Sequence, residues 1–125
     1  ANGHQVRVRP CARIEDALML SSTHWSVGKY HALEPYETLT RRPSLYRTWG
    51  DCHGYFLLAT GYADIMMDPI MQIWDVAPLV PIVEGAGGVI TDWYGGPAVG
   101  GRGVVATAGP IHDAVIQALR PESPA

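Results

Sequence analysis

The sequence predicts an α/β fold in which strands and helices alternate around a mixed sheet. Three observations predict it. Short apolar runs at residues 89–93 and 104–108 are interleaved with helix-period segments at residues 76–83 and 111–119. There are 14 Gly and 10 Pro in 125 residues, so breakers are frequent and the elements must be short. Finally, 47% of residues are hydrophobic and 17% charged, enough for one domain to bury a core.

Each element follows from its local pattern. Residues 5–9 (Gln-Val-Arg-Val-Arg) alternate polar and apolar, the period of a half-buried strand, and Pro10 ends it. Residues 11–17 predict a short helical turn, with Ile14, Ala17 and Leu18 on one face and Glu15 and Asp16 early. Residues 18–22 predict a second strand. Residues 23–28 read as a loop with Trp25 packed. Residues 34–42 carry a helical pattern around Tyr36 and Leu39. Pro35 suits its first turn, and Arg41 and Arg42 make a solvated end favourable to the helix dipole.

Residues 45–49 predict a strand, Gly50 a turn, and Asp51 a cap for a helix running to Thr60, with Cys52, Tyr55, Phe56 and Ala59 on its inner face. Gly61 suits its C-terminal stop. Residues 62–68 read as a buried strand ending at Asp68. The stretch from Ile73 to Gly88 predicts a short apolar helix in which Val76, Leu79, Val80 and Val83 share a face. Pro78 belongs to its first turn, Pro81 predicts a kink or a helix held to its N-terminal turns, and the Gly87-Gly88 pair ends it. The Gly-rich loop at residues 100–103 is not a phosphate loop, because no Lys-Ser/Thr follows and the next element is a strand. Gly109-Pro110 opens the last helix, and residues 121–125 form a tail. No internal repeat or linker divides the chain, so residues 1–125 read as a single unit.

The net charge of −3 argues against a general nucleic-acid binder. No apolar run approaches the length that spans a bilayer, and the start carries no signal-peptide pattern. Two cysteines without Cys-x-x-Cys spacing indicate neither a zinc site nor a disulfide framework. They read as reduced thiols of a cytoplasmic protein.

Four residues carry candidate chemistry, each beside a plainer reading. Asp75 is either a helix cap or a hard-oxygen ligand for a divalent cation such as Mg²⁺. Arg47 is either one half of a surface ion pair or a two-pronged grip on phosphate or carboxylate. Asp51 reads as a helix cap, and any further role for it comes only from the resemblance given below. Asp68 is a strand-end acid or the partner of a ligand ammonium or hydroxyl.

The run Trp74-Asp75, a short helix, Glu84-Gly85-Ala86-Gly87-Gly88-Val89-Ile90-Thr91-Asp92 and Gly95-Gly96-Pro97 resembles the C-terminal signature of the inositol monophosphatase superfamily. Upstream, Tyr46-Arg47-Thr48-Trp49-Gly50-Asp51 resembles the variant found in its histidinol-phosphate phosphatases. The resemblance runs from about Gly3 to Leu119 and implies the layered α/β/α architecture of the C-terminal half of the sugar-phosphatase fold. It implies Mg²⁺-dependent hydrolysis of a phosphate monoester, with Asp75 on the metal and Arg47, Asp68 and Asp51 around the substrate. Histidinol phosphate is the implied substrate, placing the protein in histidine synthesis. An inositol or sugar phosphate is the alternative within the superfamily, and a non-catalytic assembly module the alternative outside it. The superfamily's other metal acids belong to the N-terminal half and are absent. Asp68-Pro69-Ile70 imitates their motif, but Met71 fills the fourth place, and a thioether is a poor Mg²⁺ ligand. Pro78 and Gly85 depart from the superfamily pattern. The expected partners are therefore the missing N-terminal half or another copy of the chain, in a homo-oligomer, and the chain alone is expected to turn over little.

Overall fold

The computed structural model describes residues 5–48 and 53–120. Among them, a sheet of order β2-β1-β3-β5-β4 is built from β1 (Leu18–Ser21), β2 (Leu45–Thr48), β3 (Ile65–Asp68), β4 (Val89–Thr91) and β5 (Val104–Thr107). Strands β2 and β3 both pair parallel to β1, whereas β5 pairs antiparallel to β3 and to β4. The sheet is mixed, as the alternation predicts. The parallel pairs are joined by helical crossovers, the antiparallel pair β4–β5 by the Gly-rich turn.

Alternate side chains leave opposite faces of a strand, and two cores result. Met19, Ile65, Met67 and Val105 face α2 (Leu33–Thr40) and α6 (His112–Leu119), meeting Tyr36, Leu39, Val115 and Leu119. Leu20, Met66, Val104 and Ala106 face α3 (His53–Ala59) and α5 (Leu79–Gly85), meeting Tyr55, Leu58, Leu79 and Val83. This is the α/β/α layering. The short α1 (Val27–Tyr30) and α4 (Ile73–Val76) lie in the connections after β1 and β3.

Three expectations are corrected. Residues 5–9 do not join the sheet. They run extended, with Val8 N–H bonded to the Ala86 carbonyl at 2.9 Å and Val8 packed on both cores. Their alternation is real, but no strand edge is offered to them. Instead Arg9 grips Asp64 through two bonds of 2.8 and 2.6 Å. Trp25 is not packed but 92% exposed, because the preceding turn carries it away from either core. Phe56 stands outside the inner face of α3, which Tyr55, Leu58 and Ala59 complete.

The apolar stretch from Ile73 breaks at Ala77–Pro78 into α4 and α5, so Pro78 and not Pro81 marks the discontinuity. Pro81 falls in the first turn of α5, where no intrahelical donor is lost. The predicted stop is met: Gly88 N–H bonds the Val83 carbonyl and Gly87 N–H the Glu84 carbonyl, with Gly87 at φ +92. That is a Schellman closure, which requires the left-handed residue glycine tolerates.

At the start of α6, buried His112 joins two strand ends. Thr91 donates to the Asp92 carbonyl (2.8 Å), so its oxygen accepts from His112 Nε2–H (2.8 Å). Gly109 N–H donates to Thr107, whose hydroxyl donates to His112 Nδ1 (3.0 Å). This arrangement suits a neutral imidazole, with Nε2 as donor and Nδ1 as acceptor. Burial pushes the His112 pKa down, and burial does the same to His31. A folded-state histidine pKa below the unfolded value of about 6.5 means that the unfolded chain binds more protons as pH falls through that range. Stability is therefore expected to be full above about pH 7 and to decline between about pH 6.5 and 5. Denaturant unfolding at pH 7.5 and 5.5 checks this, and His112→Asn should flatten the slope.

Candidate active site

The sheet register places Arg47, Leu20 and Met66 in one row across β2, β1 and β3. Residues in one row share a face, so Arg47 projects on the α3 side, as does Asp68 two residues beyond Met66. Arg47 lies two strand spacings from β3, roughly 10 Å, and is exposed on the edge strand. Its guanidinium has no ion-pair partner among the described residues.

Asp68 is buried, 6% exposed, and firmly held. The Tyr55 hydroxyl from α3 donates to its carboxylate. The same hydroxyl lies 3.5 Å from Met71 Sδ. The Trp93 indole N–H donates to the Asp68 backbone carbonyl at 2.7 Å. Trp93 is stacked between Tyr36, with centroids at 5.5 Å, and His31, at 4.0 Å and nearly coplanar. His31 Nε2–H donates to the Pro69 carbonyl at 2.6 Å. Two successive carbonyls at the end of β3 are thus fixed by two stacked rings. Tyr36 extends the network to Tyr46, beside Arg47, through a 2.7 Å hydroxyl pair.

Gly103 makes this closeness possible. It has φ +72, and a Cβ there would come within 2.4 Å of the Trp93 ring and 2.9 Å of the Asp68 carbonyl oxygen. Gly103→Ala is expected to cost about 2–4 kcal/mol, from left-handed strain plus overpacking. Trp93 fluorescence and the denaturation midpoint should shift together.

Asp75 is the third residue of α4, not its cap. Gln72 occupies the cap position and makes no side-chain cap bond. The Asp75 backbone N–H bonds the Gln72 carbonyl at 2.9 Å, while its exposed carboxylate has no hydrogen bond or ion pair among the described residues. It lines a groove of about 350 Å³ with Tyr55, Phe56, Trp74, Leu79 and Ile82. Tyr55 connects the two acids: its hydroxyl holds Asp68 and its side chain lines the groove of Asp75. Asp51 lies outside the described residues.

Among the described residues no three His, Cys, Asp or Glu side chains converge on a metal position. One carboxylate does not fill the octahedral shell of Mg²⁺, so these residues do not complete such a site by themselves.

Sequence reading passed over Tyr55, Trp93 and His31. Tyr55 was legible as a core residue of α3, but its hydroxyl contact joins positions 55 and 68, which no local spacing announces. Trp93 and His31 converge on β3 from opposite ends of the chain.

The geometry can be set beside known proteins. Residues 1–124 match the model of the inositol monophosphatase family. A histidinol-phosphatase of Chlorobaculum parvum is 38% identical over 86 residues, 68% of this chain and 33% of that protein. One of Mycobacterium tuberculosis is 32% identical over 119 residues, 95% of this chain and 46% of that protein. Among solved structures, an inositol monophosphatase from Zymomonas mobilis superposes with a TM-score of 0.81 at 28% identity, over 94% of this chain and 47% of that one. The extragenic suppressor protein suhB from Bartonella henselae gives 0.84 at 26% identity, over 98% and 49%. The chain thus spans less than half the length of each of these relatives. With its mixed α/β/α fold, its Trp-Asp turn and a match over nearly its full length, the chain belongs to the inositol monophosphatase family.

Proposed function

We propose that this chain is the C-terminal half of a phosphate monoester hydrolase, with histidinol phosphate as substrate and Mg²⁺ as cofactor. The observation that carries the reading is the pairing of two different acids on one connector. Asp68 is buried and held by Tyr55, while seven residues on Asp75 is exposed with no partner among the described residues. A solvated cap has no need of such a neighbour. A site that must grip a cation with one acid and the organic part of a substrate with the other uses both.

In this reading Asp75 contributes one oxygen ligand, and the others come from the N-terminal half or from another copy. A divalent cation held by Asp75 and those further ligands would supply Lewis-acid chemistry toward a phosphate ester. The chain's own residues bind and orient. Asp68, immobilised by Tyr55 and Trp93, faces an ammonium or hydroxyl. Arg47, on the same sheet face, grips an anionic oxygen. Asp51 is assigned to the positive end of the substrate on family resemblance alone. The names of the similar histidinol-phosphatases support the substrate choice. Exposed Phe56, Ile73, Trp74 and Ile82 around the groove supply the apolar surface that a completing half would cover. No helix among the described residues is long and apolar enough to cross a membrane.

The test is phosphate release from histidinol phosphate, with inositol phosphate as control, with and without Mg²⁺, by this chain alone and with an N-terminal half added. Metal-dependent release that favours histidinol phosphate supports the reading. Preference for inositol phosphate moves the substrate to the other branch. No release and no Mg²⁺-induced rise in thermal midpoint with both halves present leaves the non-catalytic assembly module.

A further inference from the structure

We propose that the cleft formed by Lys29, His31 and Arg102 is an anion site that takes a phosphate-bearing small molecule. This does not rest on the catalytic reading, because it involves neither Asp75 nor a metal. The cleft has a volume of about 410 Å³ and lies on the flank of the connector after β3, walled by Ile70 and Met71. Its cations come from segments far apart in sequence, the end of α1 and the turn before β5, and no carboxylate lines it.

Neither cation is held in a salt bridge among the described residues. Arg102 stacks over the Tyr94 ring at 5.2 Å and spends one guanidinium N–H on the Tyr30 carbonyl at 3.3 Å. Its other donors have no partner among the described residues. Asp92, the acid of the adjoining turn, already accepts the backbone N–H groups of Tyr94, Gly96 and Arg102. In a chain of net charge −3, a cleft lined by two cations and by no carboxylate is a local exception. A stacked guanidinium offers parallel donors that match phosphate oxygens, and Lys29 adds a point charge. The volume exceeds the needs of a bare phosphate. Ile70, Met71 and Tyr30 give the carbon body of an ester an apolar wall.

His31 forms the floor and serves as the reporter. Its Nε2–H is committed to the Pro69 carbonyl, and Nδ1 accepts from the Tyr94 hydroxyl at 3.0 Å. Burial and Arg102 disfavour its charged form, while Asp92 favours it. A dianion bound beside it must raise its titration midpoint by linkage.

The experiment is a histidine-resolved NMR titration of the whole 125-residue chain with inorganic phosphate, and in a second arm with phenyl phosphate. Saturable shifts at His31, with none at His112 or His24, are expected, together with a raised His31 midpoint. Arg102→Ala and Lys29→Ala should each weaken binding at least fivefold. Arg120→Ala, which lines other clefts, should leave it unchanged. All three side chains are exposed, so the fold should persist, and circular dichroism checks it. Tighter binding of phenyl phosphate assigns the cleft to an organic phosphate. Equal binding assigns it to free phosphate. No shift at His31 with either probe at 50 mM, or affinity unchanged in both Arg102→Ala and Lys29→Ala, overturns the proposal. Neither result bears on Asp75.

Discussion

Asp75→Asn is expected to lower metal-dependent phosphate release by at least about 100-fold once both halves are present, with folding intact. The basis for the size is general: even the outer partners of a metal site are worth about 10–100-fold, and a direct ligand is worth more. The basis for intact folding is structural. The Asp75 carboxylate makes no hydrogen bond or ion pair among the described residues, so the amide loses no polar contact the fold uses. The two outcomes separate cleanly. A thermal midpoint that no longer rises with Mg²⁺, beside an unchanged midpoint without it, marks a lost ligand. A lowered midpoint without metal would show instead that Asp75 serves the fold, and the ligand assignment would fall.

Asp64→Ala carries the largest expected effect on stability, a loss of about 3–5 kcal/mol. The carboxylate is 1% exposed and accepts from Arg9 Nε and Nη2 and from Leu18 N–H at 2.8 Å. Asp64 N–H in turn bonds the Leu18 carbonyl at 3.0 Å. Removing the side chain leaves the Leu18 donor unpaired at the start of β1 and releases the extended segment that Arg9 anchors. The Arg9 guanidinium, whose hydrogen bond to Asp64 raises its pKa, remains charged throughout and stays 43% exposed. It can return to water, so Arg9→Ala should cost less than Asp64→Ala. Urea unfolding of both variants checks the order. Equal losses would show that the ion pair, and not the buried backbone donor, carries the energy.

Asp64 also shows where sequence reading stops. It stood inside a run that reads as buried strand, with no local reason for a carboxylate. Its reason is Arg9, 55 residues earlier, in a segment whose alternation suggested sheet pairing. The alternation was correct about which side chains turn inward, since Val6 and Val8 are partly buried while Arg7 and Arg9 are exposed. It could not say whether a strand edge would be free. Trp25 and Phe56 fail for the same reason: apolar character does not say which side of a turn or helix another element will cover.

Within the site, Asp68 and Asp75 were legible by their positions at a strand end and a helix start. Arg47 was legible by resemblance, and Asp51 falls outside the described residues. What differentiates the two acids, Tyr55 on one carboxylate and no partner among the described residues on the other, was not legible.

By itself the sequence determined most of the elements from Leu18 onward, the mixed α/β class, the glycine stop at Gly87–Gly88 and the family. Periodicity, capping and turn chemistry act within a few residues, and the signature runs are contiguous. The tertiary structure decided the docking of residues 5–9 against Ala86, the Tyr36–Trp93–His31 stack beneath Asp68, the neutral His112 bridge and the basic cleft at Lys29 and Arg102. Each of these joins side chains far apart in the chain. Their energy comes from burial and hydrogen bonding that exist only after the sheet has brought them together.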